Sequence, residues 1–390
     1  MSDNQTWLEE KELMLEGLDG KRRTVTSTLL ENQRRVLTET AADGVTPTGN
    51  IAQFQQIAMP MIRRVMPATI AMDLVGVQPM NSPVGLVYTQ RVRYSQAPVG
   101  SGISVNDERD GTTVYEKYSS IAAGEAYNAS DARSANAQTA VLEAQGGNEI
   151  NLEVVKKSIE AKTRKLQAKW TKEADQDSKA MHGIDLESEL VAALSDEIIR
   201  ELDKELLLDL SNLAGTIKAF DFSLADGRYA SEKFTALSIG ISDLSNQIGV
   251  KTKKGGASWM VVSPDILTAL RHANNGSFTS ANATGEVVAS QTLFAGTFNN
   301  SIKVYVDITA TANTMLMGYK GSSELDTGLV YSPYVPLMAS PVITDPESYD
   351  PRIGLMTRYA ITSFTDANTD LGNSADFYAR GTVSNLTLGF

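Results

Sequence analysis

The longest regular pattern in the chain lies at 186–210. There Leu186, Leu190, Leu194, Ile198, Leu202, Leu206 and Leu210 recur every fourth position. Four residues turn an α-helix by about 400°, so the apolar face drifts by about 40° per step and winds around the rod. Val191, Ile199 and Leu208 widen it. The spacing predicts a helix of about 26 residues, near 40 Å long, touching different elements at its two ends. Asp185 is placed to cap its start. Gly183 suits a left-handed close to the preceding helix, TKEADQDSKAMH.

Other segments read as strands. In GLVYTQRVRYSQ (84–95), Val87, Thr89, Arg91 and Arg93 share one face, and Leu86, Tyr88, Val92 and Tyr94 share the other. A second extended run, INLEVVKKSIEAKT, covers 150–163. Between them the chain is rich in Gly, Ser, Ala and Asn and can bury little apolar area. Two extended runs around so long a weak segment predict a projecting hairpin that a neighbouring molecule orders. Further on, EKFTALSIGISDLSNQIG reads as an amphipathic helix. ASWMVVSPDILTALRHA reads as a strand and then a helix opening at Ser263-Pro264, with proline at its first position. SIKVYVDI alternates, with Ile302, Val304, Val306 and Ile308 on one side. TMLMGYK, GLVYSPYVPL and RIGLMTRYAITSF are three more strands. The whole is an α+β pattern, helices packed on a sheet core.

The N-terminal 50 residues carry two partial helical stripes, Trp7–Leu18 and Leu29–Val36, parted by Gly20 and ended by the turn-rich AADGVTPTGN. This arm reads either as flexible or as a docking segment for assembly. Residues 51–83 are apolar and methionine-rich, broken by Pro60, Pro67, Pro79 and Pro83. Proline restricts itself and its predecessor, so short pieces are expected, serving as core or as an intersubunit surface.

Composition narrows the function. The 390 residues carry a net charge of −12, and 42% are hydrophobic, as in a folded globular chain. An acidic balance argues against a nucleic-acid binder. Cysteine is absent and only His182 and His272 are present. Thiol chemistry, cysteine zinc sites and most histidine relays are therefore excluded or unsupported. The opening MSDNQTWLEEKELMLEG has neither a basic nor an apolar signal region, and no apolar run approaches a membrane span. Lys253-Lys254-Gly255-Gly256 lacks the spacing of a phosphate loop. His182 and His272 sit at helix ends, where a cation complements the dipole. No catalytic, cofactor or metal site is expected.

Charge is unevenly placed. Lys156, Lys157, Lys162, Arg164, Lys165, Lys169 and Lys172 face only Glu160 across 156–172, a net of +6. Residues 185–210 hold nine acids, including Glu197, Glu201 and Glu205, against Arg200 and Lys204, a net of −7. A basic strand thus precedes an acidic helix. Lys156, Lys157, Lys162, Arg164 and Lys165 are expected to meet Glu197, Glu201 and Glu205 of an adjacent subunit, setting register more than affinity.

Three stretches carry a resemblance. They are PMIRRVMPATIAMDLVGVQPMNSPVGLVYTQRVRY (60–94), TRKLQAKWTKEADQDSKAMHGIDLESELVAALSDEIIRELDKELL (163–207) and VYSPYVPLMASPVITDPESYDPRIGLMTRYA (330–360). The chain resembles the major capsid proteins of T-even-like tailed phages in these stretches. The resemblance implies an HK97-like fold, divided into an N-terminal arm (1–83), an extended loop (84–165), a peripheral domain on a spine helix (166–229), an axial domain (230–330) and a return to the peripheral domain (331–390). It implies hexamers and pentamers that tile an icosahedral or elongated head around double-stranded DNA, with scaffold, portal and decoration proteins as partners and no membrane. Assembly is expected in the host cytoplasm and residence in the virion. The chain is short for this family, so a surface domain inserted in relatives is expected to be reduced. Relatives are trimmed after glutamate at an Ile/Leu-x-Glu motif, which Leu8-Glu9-Glu10, Leu29-Leu30-Glu31 and Leu37-Thr38-Glu39 fit, Glu39 being the best placed. The alternatives weighed are an α+β enzyme using acidic residues and a nanocompartment shell of the same fold.

Overall fold

Two β-sheets bridged by one long helix organise the chain. The computed structural model describes residues 2–18, 20–42, 69–94, 150–183, 185–222, 230–252, 254–273, 278–280, 292–340, 342–347, 349–365 and 373–385. The turn at 43–50, the methionine-rich stretch through 68 and the far part of the hairpin, 95–149, lie outside these residues.

The bridge is α5 (Leu186–Leu213), preceded by α4 (Lys172–His182). Gly183 closes α4 at φ 66°, its N–H donating to the Lys179 carbonyl at 3.2 Å, as a left-handed cap requires. Asp185 occupies the cap position of α5 but forms no side-chain cap bond; it pairs with Lys179 at 3.0 Å instead. The winding stripe is realised. Near the start of α5, Val191 packs with Trp170 and Ile353. Farther along, Ile198, Leu202, Leu206 and Leu210 enter a core shared with Trp259, Leu316 and Tyr378. Leu208 departs from the predicted stripe: it is 61% exposed, at the rim of a groove between α5 and one of the two sheets, not in the core.

The five-stranded sheet holds β1 (Gly76–Val77), β11 (Leu329–Ala339), β13 (Pro351–Ser363), β12 (Ile343–Thr344) and β4 (Lys162–Lys169). β13 is its centre, antiparallel to β11 on one side and to β4 on the other. Up to Tyr359 the odd residues of β13, such as Ile353, Leu355 and Tyr359, are buried and the even ones half-exposed; from Ala360 the pattern reverses, with Ala360 and Thr362 buried. One face of the sheet therefore rests on α5, and the other is covered in part, where Val330 and Ala360 pack with Met80, Val87 and Ile159.

The seven-stranded sheet runs β5 (Thr216–Asp221), β14 (Tyr378–Ser384), β10 (Thr314–Gly318), β6 (Trp259–Val262), β9 (Ile302–Asp307), β8 (Thr292–Phe298) and β7 (Phe278–Ser280). α6 (Ala230–Thr252) and α7 (Pro264–Arg271) share a core with Met260, Val262, Val304 and Met317 of this sheet. Pro264 opens α7 as expected. β9 ends at Asp307, and Ile308 lies in the following turn, 59% exposed instead of on the buried row. This sheet draws β5 from 166–229 and β14 from 331–390, so the breaks at 230 and 330 fall among the strands that build it.

The arm is packed, not free. α1 (Ser2–Leu15) and α2 (Gly20–Ala42) run antiparallel, joined by Lys11–Glu31 and by Arg34 stacked 5.2 Å from the Trp7 ring. Leu15, Val25, Leu29 and Leu30 enter the same core as α5. Asn32, 3% exposed, donates to the carbonyls of Met80 at 2.7 Å and Tyr334 at 3.2 Å. Arg22 pairs with Asp73 at 3.1 Å and Lys21 with Glu324 at 3.0 Å. Buried Asp203 of α5 fixes a later part of the arm, accepting the Ile70 N–H at 3.2 Å, just before α3 (Ala71–Leu74). Asp203→Ala strands that N–H in the core and is expected to cost about 1–3 kcal/mol, read as a lower urea midpoint at unchanged slope.

Candidate functional site

Among the described residues no helix is long and apolar enough to cross a membrane, and no cluster of three histidine or acidic side chains is fit for a metal. Lys254 pairs with Asp326 at 2.9 Å and lies 5.4 Å from the Phe377 ring, which makes the glycine-rich turn a structural clasp. The chemistry that stands out is charge and exposed apolar surface.

The basic strand and the acidic helix meet within one chain. Along β4, alternate residues Arg164, Leu166 and Ala168 turn toward α5, and Lys165, Gln167 and Lys169 turn to solvent. Arg164 reaches Glu201 through Nη1 at 3.1 Å and Glu205 through Nη2 at 2.5 Å. The Tyr359 hydroxyl donates to the same Glu205 oxygen, and the guanidinium carbon lies 6.0 Å from the Tyr359 ring. Glu197, Glu201, Glu205 and Asp209 are spaced four apart and form one acidic ridge. Like charges at that spacing repel by a few tenths of a kcal/mol each, roughly, so the ridge calls for cations. Arg164 supplies one between its middle members, Arg200 reaches Glu197 at 3.4 Å, and the Lys162 charge acts on Asp209.

Burial, and next the Glu205 charge, raise the Asp209 carboxyl above its usual range, against the pull of Lys162. A raised acid loses stability as pH rises from its unfolded value through its folded one, because the ionised form is disfavoured in the native state. Asp209→Asn is thus expected to raise Tm slightly at pH 7 and to leave it unchanged at about pH 3. Paired thermal melts check this.

The remaining predicted residues are placed as follows. Lys156 and Lys165 are exposed and make no ion pair among the described residues. Lys157 donates to the Ser363 carbonyl at 2.7 Å. Glu31 is exposed on α2, and Glu39 lies in the last turns of that helix.

The hairpin was legible as two runs; its orientation was not. β2 (Val84–Tyr94) and β3 (Ile150–Glu160) pair antiparallel along their whole described length, Val84 opposite Glu160 and Tyr94 opposite Ile150. Near the root, Val87 and Ile159 pack on Met80, Val330, Ala360 and Phe364. Thr89 donates to the Leu325 carbonyl at 2.9 Å, and Gln78 brackets the Tyr88 backbone at 2.9 and 3.2 Å. The opposite face carries an open apolar row, Leu86 being 52% exposed and Val154 56%, with Val84 and Tyr88 beside them and Glu160, Ser158 and Lys156 across from Val84, Leu86 and Tyr88. A ribbon held rigidly on one face while displaying an apolar row on the other fits a protein contact.

A family model described as "Major capsid protein Gp23" matches residues 51–383. The major capsid protein of Vibrio phage KVP40 is 29% identical, over 86% of this chain and 81% of its own. That of Enterobacteria phage T6 is 29% identical, over 80% of this chain and 79% of its own. Among solved structures, the capsid of Myoviridae Phage XM1 aligns at 11% identity with a TM-score of 0.42, covering 79% of this chain and 89% of that one.

Proposed function

The chain belongs to the Gp23 major capsid protein family, and on that premise we propose that its copies form hexamers and pentamers, which close into an icosahedral or elongated shell around packaged double-stranded DNA. The observation that carries this is the open apolar row of the hairpin, rooted on the body by its other side. Fully burying a Leu or Val side chain is worth about 1.5–3 kcal/mol, and a neighbouring copy can supply that cover at every contact. The role is structural, not catalytic. The shell encloses DNA without reading its sequence, in keeping with a net charge of −12.

The parts follow the HK97-like order: arm (1–83), extended loop (84–165), peripheral domain (166–229), axial domain (230–330) and return (331–390). What supports this division is the sequence of packed arm, two-stranded ribbon, long helix and two sheets. Arg164 is engaged by Glu201 and Glu205 of its own chain, while Lys156 and Lys165, exposed on the ribbon and on β4, are among the basic side chains available to a second copy. Scaffold, portal and decoration proteins complete the assembly, which takes place in the host cytoplasm and ends in the virion. Trimming after Glu39 suits the structure better than trimming after Glu31, because Leu29 and Leu30, fully buried, hold the helix around Glu31 in place. A new N-terminus at Thr40 in the mass spectrum of mature heads is the expected mark; an intact arm there rejects trimming.

The direct test is expression of the chain with and without its scaffold, followed by light scattering and negative-stain microscopy. Closed particles are expected. A monodisperse monomer under every condition overturns the reading.

A further inference from the structure

We infer that the groove between the C-terminal half of α5 and the seven-stranded sheet receives a carboxylate side chain from a second copy of this chain, with Arg380 and Lys204 as its ligands. The inference rests on the shell reading above, since it requires neighbouring copies.

The groove holds about 430 Å³. Arg380, on β14 opposite Leu316 of β10, lines it, and Lys204 of α5 stands on its opposite wall. Arg380 is half-buried. Its Nη1 lies 3.5 Å from the Ser211 hydroxyl, at the limit of a hydrogen bond, and its Nε is buried without a partner. No carboxylate among the described residues pairs with it. Most other partly buried cations are treated differently: Arg164, Lys251, Lys254 and Lys320 each have an acid of their own chain, and Arg358, which has none among the described residues, lies 5.3 Å from the Tyr334 ring. A guanidinium drawn from water needs an anion, and an incomplete set of hydrogen bonds is costly. Lys204 is exposed and likewise makes no ion pair among the described residues. The one acid that lines the groove, Asp307, forms no ion pair with either cation, and its Oδ1 accepts from the Thr309 N–H and hydroxyl, both at 2.8 Å.

The walls decide what kind of anion fits. Leu207, Leu208 and Leu316 line the groove with the two cations. A hydrated phosphate gains nothing from such walls, and nucleic acid is held by many cations in series. An acidic side chain among apolar neighbours satisfies both halves. This chain carries such acids in excess. Glu189, Glu232 and Glu347 are exposed and make no ion pair among the described residues. A guanidinium and a carboxylate meeting in a partly dry groove set orientation between copies more than they add raw affinity.

The test uses DNA-free shells assembled from mixed light and 15N-labelled chains, treated with a carbodiimide. The expected product is an amide joining Lys204 to an Asp or Glu of the other label, absent from unassembled subunits. Lys204→Glu, at an exposed position, and Arg380→Gln are expected to lower particle yield at least tenfold while the subunit Tm stays at its wild-type value, and Arg380→Lys to retain most of the yield. Wild-type assembly by both charge variants, with Lys204 linked only within its own chain, overturns the inference. So does a defect confined to DNA-filled heads, which identifies phosphate as the ligand. Failure of the unsubstituted chain to assemble overturns the shell reading itself.

Discussion

Leu86→Asp combined with Val154→Asp should give a folded subunit that forms no particles. Both side chains are more than half exposed on the open face of the β2–β3 ribbon, so their loss leaves the core intact. The ribbon pairing is backbone, and its root is held by Val87, Ile159 and the Thr89 bond on the other side. The subunit Tm is expected to stay within about 1 °C of wild type, as for surface substitutions generally. Assembly is another matter. Each contact loses up to about 1.5–3 kcal/mol of apolar burial and must also desolvate an unpaired carboxylate. Repeated at every contact, that should reduce particle yield by at least about a hundredfold, since 1.4 kcal/mol is already a factor of ten. Light scattering gives the yield and calorimetry the Tm. Val87→Asp, one residue from Leu86 but on the buried face, should do the reverse first and destabilise the subunit. Particles at wild-type yield from the double variant would remove the main support for the proposed contact.

Gly318→Val should prevent the two sheets from joining. Gly318 ends β10, and a Cβ there would lie 2.2 Å from Trp259 Cζ2 and 2.8 Å from Tyr378 Cδ1. Neither ring has room to move, for Trp259 is 1% exposed and Tyr378 fully buried. The ring centroids are 6.1 Å apart. The Tyr378 hydroxyl accepts the Leu329 N–H at 2.9 Å, which ties the first residue of β11, in one sheet, to β14 in the other. Pushing Tyr378 aside adds the loss of that bond to the strain of overpacking, together about 3–4 kcal/mol. The outcome expected is insoluble protein or a Tm lower by about 10 °C. A soluble subunit with the wild-type Tm would show that the junction is softer than its packing implies. Gly318→Ala should lie between the two.

Much of this molecule was visible in the order of its residues. The α4 cap at Gly183, the proline opening α7 and the two runs of the hairpin all depend on contacts within a few positions, and each was found where the pattern placed it. So was the winding stripe of α5. The partnership of a basic strand with an acidic ridge was legible from charge, since both carry large local excesses of opposite sign. That Arg164 finds Glu201 and Glu205 in its own chain was not legible. It follows from the pairing of β4 with β13, a strand far along the chain. The Arg380 groove gave no sign in the sequence, because its parts come from α5, β6, β9, β10 and β14.

By itself, then, the sequence determined which residues share a helix stripe, a strand face or a cap, and through three long stretches the family to which the chain belongs. Only the tertiary structure decided which face of the ribbon turns inward, which sheet receives β5 and β14, and that Leu208 and Ile308 stay in solvent. Periodicity sets which side chains lie side by side. Which side meets protein is set by surfaces brought together from distant parts of the chain, and no local pattern contains that information.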